Sequence, residues 1–545
     1  MTLIALLAAA PVAVIVWSLA TPSGQIWSYL WATRLPAMLS STLALLVLVV
    51  AGTLVLGGGL AWLVSGYDFP GRKTLSWMLV LPLAMPGYIL GFVFMSTFGF
   101  TGPIQGALRT LFGPDVAVPE IRSLGGAAIV FSLCLYPYVY LLARAAMREQ
   151  ATASYEVARS LGYSHLRAAW RVILPMARPS LVAGLTLVTL ETLTDFATVL
   201  YFNVQTVSVG VYRVWKGMFD RDAASELASL VLVFALGLLL LERLLRGRAR
   251  YEQQGGGSRQ LPSKRLYGLR AWTATATCVA VLTLAFFAPV VQLGAWAVEQ
   301  MVRGRDPVDS GFLRYVSNSA VLALTAAVLV VVVAVAIANG RRFAATRYVR
   351  SVSQLATAGY ALPGPVIAIG VLLVVAALDR GLAAAGIAVP GLLVTGSLAG
   401  VIYAYVVRFL ALGVNGIDAS LQKVPVELTL TARSLGATPS QVMRRIHLPL
   451  TRTGVAVALL LVGIDALKEL PMVLLLRPFG FDTLPVWVWQ LASESRWELA
   501  ALPSLTIIAA SLVPVALLTR SLRGSQADPA LLPATGKRAL EVAGI

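Results

Sequence analysis

Apolar positions in this chain gather into long runs separated by short polar stretches. A helix needs about 20 residues to cross roughly 30 Å of bilayer hydrocarbon. About a dozen segments meet that length: 2–20, 37–63, 76–98, 124–142, 179–202 and 225–245, then 271–298, 316–338, 352–378, 392–412, 451–476 and 502–518. The first has the length of a signal peptide. It carries almost no basic start, and its Ala-rich stretch comes before its apolar core ends, so it reads as a retained anchor.

Composition sharpens this pattern. Of 545 residues, 58% are hydrophobic and 12% charged, with a mean hydropathy of +0.80, which excludes a soluble globular chain. A bilayer solvates apolar side chains and requires only that backbone groups bond internally, as helices do. The fold class is therefore an all-α polytopic membrane protein. The formal charge of +18 does not indicate nucleic acid, because the basic residues stand in short blocks between apolar runs, as orientation signals do. Arg72 and Lys73, the series from Arg144 to Arg178, the stretch 243–270, Arg341 to Arg350, Arg433 to Arg445, and Arg520 with Arg523 all fall on one side. That side, with both termini, is expected in the cytoplasm. Cys134 and Cys278 lie in separate apolar runs, as packing residues rather than a disulfide or zinc ligands.

A repeat divides the chain in two. The segment Glu156-Val157-Ala158-Arg159-Ser160-Leu161-Gly162 is followed by Val172-Ile173-Leu174-Pro175. The second half has Thr431-Ala432-Arg433-Ser434-Leu435-Gly436 and then Ile446-His447-Leu448-Pro449. Both the glycines (436 − 162) and the prolines (449 − 175) are 274 positions apart. Small Ala158 and Ala432 let a short helix press into a partner, Gly162 and Gly436 permit a sharp bend, and Leu174-Pro175 and Leu448-Pro449 are expected to stop the helix. An ordinary amphipathic surface helix is the bland alternative. The residue matching Glu156 is Leu430, with Glu427 one turn earlier as a partial substitute.

These two loops resemble the coupling motif of binding-protein-dependent ABC importer permeases, Glu-Ala-Ala with a later glycine and Ile-x-Leu-Pro. The resemblance implies about 12 transmembrane helices in two pseudo-twofold-related halves of the type I kind. It also implies two copies of an ATPase subunit docked on the loops, a periplasmic or lipid-anchored substrate-binding protein, membrane lipid around the chain, and a place in the bacterial inner membrane. The chain has no Gly-x-x-x-x-Gly-Lys-Ser/Thr loop and no His-Glu-x-x-His or Gly-x-Ser-x-Gly arrangement. It is therefore expected to be no enzyme and to bind no cofactor, with ATP and Mg on the partner.

Inside the span after each loop lie carboxylates at the same spacing of 274 (465 − 191 and 469 − 195): Glu191 and Asp195, then Asp465 and Glu469. A four-residue step puts each pair on one helix face. Charge at that depth is costly and marks a substrate path by default. The plainer alternative is that the acids cap a broken helix, pair with Lys468, or only gate. Asp195 and Glu469 also resemble acids of sulfate- and molybdate-type permeases, whereas Glu191 and Asp465 are more distinctive. Hard oxygen ligands suit a ferric ion held transiently at Glu191 and Asp465.

Longer stretches resemble the ferric iron permeases in order and spacing: Glu191 to Phe196, Tyr201 to Thr206, Gly210 to Trp215, Lys468 to Pro471, Leu474 to Phe479, Tyr136 to Tyr138 and Tyr403 to Phe409. A fused thiamine or polyamine permease shares the loops and stays open as an alternative, as does an ion-coupled secondary carrier. Pro86-Gly87 and Pro363-Gly364 are expected to kink spans that rock during transport. The resulting layout is an anchor helix and external loop at 1–36, a first permease half at 37–245, a flexible cytoplasmic linker at 246–270, an extra helix and loop at 271–315, a second half at 316–520, and a tail at 521–545.

Overall fold

The computed structural model describes all residues except 21–23, 115–118, 150–151, 219–220, 247–262, 304–307, 309, 345, 387–395 and 525–545. The core of the expected linker and nearly all of the expected tail lie outside the described residues.

Among the described residues the apolar runs form twelve helices. In the first half they are α1 (Thr2–Ala20), α2 (Leu35–Gly66), α3 (Gly87–Phe98), α4 (Leu124–Glu149), α5 (Trp170–Thr194) and α6 (Arg221–Arg246). In the second they are α7 (Gly268–Val302), α8 (Ser310–Phe343), α9 (Gly364–Ala384), α10 (Leu398–Leu421), α11 (Pro439–Lys468) and α12 (Trp497–Gly524). Among the described residues eleven, α3 counted through Phe112, are long and apolar enough to span a bilayer, and α1 is a shorter apolar helix. The chain is thus a multi-pass, all-α membrane protein.

Four expected spans are interrupted. Before α3 the chain runs through Arg72–Met78 and the tight turn Leu81–Ala84. Before α9 it runs through Arg347–Ala356 and Ala358–Ala361. The residues before Pro86 and Pro363 are extended, with ψ of 108° at Met85 and 140° at Leu362, because proline drives its predecessor out of the helical region. The two Pro-Gly pairs are therefore not kinks within continuous spans. Each proline caps the start of a new helix. In the same way α5 stops at Thr194 and restarts as Phe196–Tyr201, and α11 stops at Lys468 and restarts as Pro471–Leu476.

The expected stop at Leu174-Pro175 and Leu448-Pro449 is also corrected. Wide π-turns occupy Ala169–Ile173 and Met443–His447, immediately before these pairs. In the second, the Leu448 N–H donates to the Met443 carbonyl. Such a turn accommodates a proline's missing N–H and bulky ring without ending the helix. Each loop consequently feeds a continuous helix into the membrane.

Helices α2, α4 and α5 pack together in the first half, as α8, α10 and α11 do in the second. The leading helix of each half crosses to the other: α1 lies on α9, and α7 lies on α3. The crossing is close, since a Cβ on Gly370 would sit 2.4 Å from the Pro11 carbonyl. On the other side Phe92 of α3 stacks near Trp296 of α7 at 6.5 Å. The described end of the linker is tied down: Lys264–Arg265 pairs in parallel with Tyr67–Asp68.

Replacing Gly370 with Val should separate α1 from α9 at a cost of about 1–3 kcal/mol, read as a lower melting temperature of the purified protein. Gly381→Val on the same helix, where a Cβ meets nothing within 4 Å, should cost far less.

Candidate functional site

The four helix breaks converge on one cavity of about 120 Å³. A helix interrupted in hydrocarbon leaves backbone N–H groups that no water reaches, so other protein groups must meet them. Asp195 does this for Phe196–Tyr201, its Oδ1 accepting from the Thr198 N–H at 2.9 Å while the Thr198 hydroxyl donates to Oδ2. In the second half Glu469 Oε1 accepts from the Met472 N–H at 3.3 Å. The starts of α3 and α9 lie against the same acids. A Cβ on Gly87 would fall 2.6 Å from Asp195 Oδ2, and one on Gly364 would fall 3.4 Å from Glu469 Oε1. The positive ends of two helix dipoles therefore face the two capping carboxylates.

Glu191 and Asp465 line the same cavity, so the structure brings all four sequence-predicted acids together. It also brings two cations among them. Lys468 Nζ lies 2.7 Å from Asp465 Oδ1. Arg408 of α10 reaches Glu191 Oε1 at 3.8 Å and Glu469 Oε2 at 3.7 Å, distances too long for hydrogen bonds. Its one tight contact is donation from Nη1 to the Leu362 carbonyl at 3.1 Å. Arg408 thus bridges the halves loosely. Among the described residues no group of three or more His, Cys, Asp and Glu side chains is arranged to hold a metal ion, and Glu191 and Asp465 each face a basic group.

The place of Arg408 was not evident from its own neighbourhood in sequence, yet the repeat points to it. Its counterpart 274 positions earlier (408 − 134) is Cys134, whose Sγ donates to the Met85 carbonyl at 3.1 Å. Both contacts end on the carbonyl just before a Pro-Gly pair. One position in the repeat therefore carries a thiol in one half and a guanidinium in the other.

At the far end of α5 and α11 stand the two repeated loops. Thr152–Ser160 and Val426–Ser434 are short helices, closed by Gly162 at φ +83° and Gly436 at φ +82°. The bonds match: Gly162 N–H to Arg159 O with Tyr163 N–H to Ala158 O, and Gly436 N–H to Arg433 O with Ala437 N–H to Ala432 O. This is a left-handed helix stop that glycine makes without strain. Glu156, Glu427 and Leu430 are exposed, as are Pro175 and Pro449, whereas Ala158 is buried and Ala432, Leu174 and Leu448 are half-buried. Leu161 and Leu435, which sequence reasoning passed over, are 72% and 82% exposed. They form matched apolar tips beside the bending glycines.

Each loop is braced by a histidine from a different position. His165 Nδ1 lies 2.7 Å from Tyr155 Oη, and burial, then Lys264 and Arg159, hold its imidazole below the usual value. His447 lies 2.9 Å from Thr429 Oγ1 and 2.6 Å from Asn339 Oδ1.

Arg408→Gln leaves Glu191 and Glu469 short of a counter-charge. An uncompensated buried charge costs about 3–5 kcal/mol, so the amount of folded protein in the membrane should fall, with Arg408→Lys restoring much of it. Quantifying membrane-inserted protein and its melting temperature for both variants checks this.

Residues 54–250 match the family described as binding-protein-dependent transport system inner membrane component. Along most of its length the chain is similar to the Fe(3+)-transport system permease protein FbpB 2 of Haemophilus influenzae, 26% identical over 506 residues, covering 90% of this chain and 91% of that protein. It is 30% identical over 227 residues to the putative 2-aminoethylphosphonate transport system permease protein PhnU of Salmonella paratyphi A, covering 41% of this chain and 78% of that one. With the sulfate transport system permease protein CysT of Escherichia coli it shares 27% identity over 245 residues, 44% of this chain and 86% of that one. Two repeated loops, each joined by one helix to a shared cavity, are thus accompanied by family likeness, and the chain belongs to the binding-protein-dependent inner membrane components, the permease subunits of ABC importers.

Proposed function

We propose that this permease passes ferric iron, received from a periplasmic binding protein, through the cavity between its halves. The observation that carries this reading is the gathering of Glu191, Asp195, Asp465 and Glu469 around one cavity in a chain similar over 90% of its length to an Fe(3+)-transport permease. Four carboxylates stand against the two cations Arg408 and Lys468, which leaves the lining acidic. Hard oxygen groups are the ligands a small, highly charged cation prefers.

Arg408 and Lys468 then act as tethered stand-ins for cargo. They offset the acids while the cavity is empty, and an entering cation replaces them. The loose geometry of Arg408 suits displacement, because no hydrogen bond to either acid must break. Asp195 and Glu469 hold the broken helices in shape, and Glu191 and Asp465 supply the oxygens that meet the ion.

The energy comes from two copies of a separate ATPase, one on each coupling loop, which also hold the ATP and Mg; the chain itself binds no cofactor. Leu161 and Leu435 seat in the ATPase surface beside Glu156 and Glu427. Closure of the ATPase pair moves each loop, and α5 and α11 carry that movement to the acids. The loops and both termini lie on the cytoplasmic side. A second reading is favoured by the basic side chains and by the similarity to PhnU: a zwitterionic phosphonate would engage the acids and the cations together.

Uptake of radiolabelled ferric iron, thiamine and 2-aminoethylphosphonate into cells lacking the chain, with and without its restoration, tests the cargo. Iron uptake should return with the wild type and fall at least about tenfold in Glu191→Gln/Asp465→Asn, the loss of two charged contacts. Return of phosphonate or thiamine uptake without iron would overturn the iron reading and leave the permease assignment intact.

Coupling is tested separately. Gly162→Pro or Gly436→Pro should abolish uptake while the protein stays in the membrane, since proline cannot adopt a positive φ. Unchanged uptake in both variants would remove the loops from the mechanism.

A further inference from the structure

A second cavity lies at the coupling-loop end of the bundle, away from the carboxylates. Its walls come from the end of α2, from the start of the helix beginning at His165, and from the segment 264–277 that leads into α7. The chain fastens this segment firmly. Besides the strand pair Tyr67–Asp68 with Lys264–Arg265, the Leu266 N–H donates to the Asp68 carbonyl at 2.9 Å. Arg72 donates to Ser263 Oγ at 3.2 Å, and Thr275 Oγ1 donates to the Pro70 carbonyl at 2.8 Å.

The fastening sets Lys264, Arg265 and Arg270 on one cavity, and all three are exposed. Among the described residues none of them makes an ion pair. The nearby acid, Asp68, is engaged by Arg72 at 3.6 Å. A further feature favours an anion: the 15-residue helix Gly268–Leu282 starts here, so its first N–H groups and the positive end of its dipole lie at the cavity. The His165 side chain forms part of the wall. Tyr267, Leu269 and Trp272 beside them are exposed. Aromatic and apolar side chains next to basic ones are what a membrane surface accommodates.

We propose that this cavity is a binding site for the phosphate headgroup of an anionic phospholipid. Lys264, Arg265 and Arg270 face the phosphate, and the acyl chains lie along Leu269 and Trp272. The shared chemistry is a phosphate anion; the exposed apolar surface around the cavity favours the lipid over a free phosphate. The site occurs once in the repeat, because it is built from the segment joining the halves. A lipid held there pins the first coupling loop, through His165, to the base of α2 and α7. This inference is independent of the cargo.

The test exposes the purified full-length chain to equimolar phosphatidylglycerol and phosphatidylcholine and measures the retained lipids by native mass spectrometry. Wild type should retain phosphatidylglycerol over phosphatidylcholine by about tenfold or more, as expected for several basic groups on one headgroup. Lys264→Gln/Arg265→Gln/Arg270→Gln should lose that preference, whereas Arg347→Gln/Arg350→Gln, at exposed basic positions of the other half, should keep it. Thermal melting confirms that both variants remain folded. Equal retention of the two lipids by wild type, or equal losses in both variants, would overturn the proposal. So would loss of the preference on adding inorganic phosphate, which would identify a free-phosphate site.

Discussion

A helix broken inside a bilayer must find partners for the backbone groups it exposes, and that requirement organises the centre of this protein. Asp195 and Glu469 meet it by accepting N–H bonds from the restarted helices. A charged cap buried in hydrocarbon needs compensation of its own, and the starts of α3 and α9 press against the same two acids with only a glycine between. Four helix ends and two carboxylates thus support one another, and the cavity is the space they leave.

The halves are copies in backbone and not in charge. Cys134 and Arg408 make the same type of contact to equivalent carbonyls, yet only Arg408 extends across to the opposite half. The loops diverge similarly. Glu156 is replaced by Leu430, and the bracing histidine is His165 in one half and His447 in the other. Duplication supplies a symmetric frame, and a few substitutions make its two sides chemically different.

A single helix joins each loop to the cavity. Helix α5 covers 25 residues, roughly 37 Å at the rise of an α-helix, and its partner α11 is built alike. Because the π-turns absorb Pro175 and Pro449 without ending the helix, the helix entered from each loop runs unbroken to the carboxylate end.

The sequence alone determined the membrane class, the dozen apolar helices, the duplication and the positions of the loops and acids, because apolar run length, repeat spacing and glycine placement are local properties of the chain. It also singled out Gly162 and Gly436 as bends, which their positive φ values bear out. Only the tertiary structure decided that Pro86 and Pro363 begin helices instead of kinking them, and that Pro175 and Pro449 sit within helices instead of stopping them. A proline's outcome depends on what receives the backbone groups it disrupts, and here those partners are adjoining turns and distant acids. Tertiary structure likewise placed Arg408 between Glu191 and Glu469, across 217 and 61 positions of chain respectively (408 − 191 and 469 − 408). Ion pairing inside a membrane is set by proximity in space, to which the spacing of residues along the chain gives no direct guide.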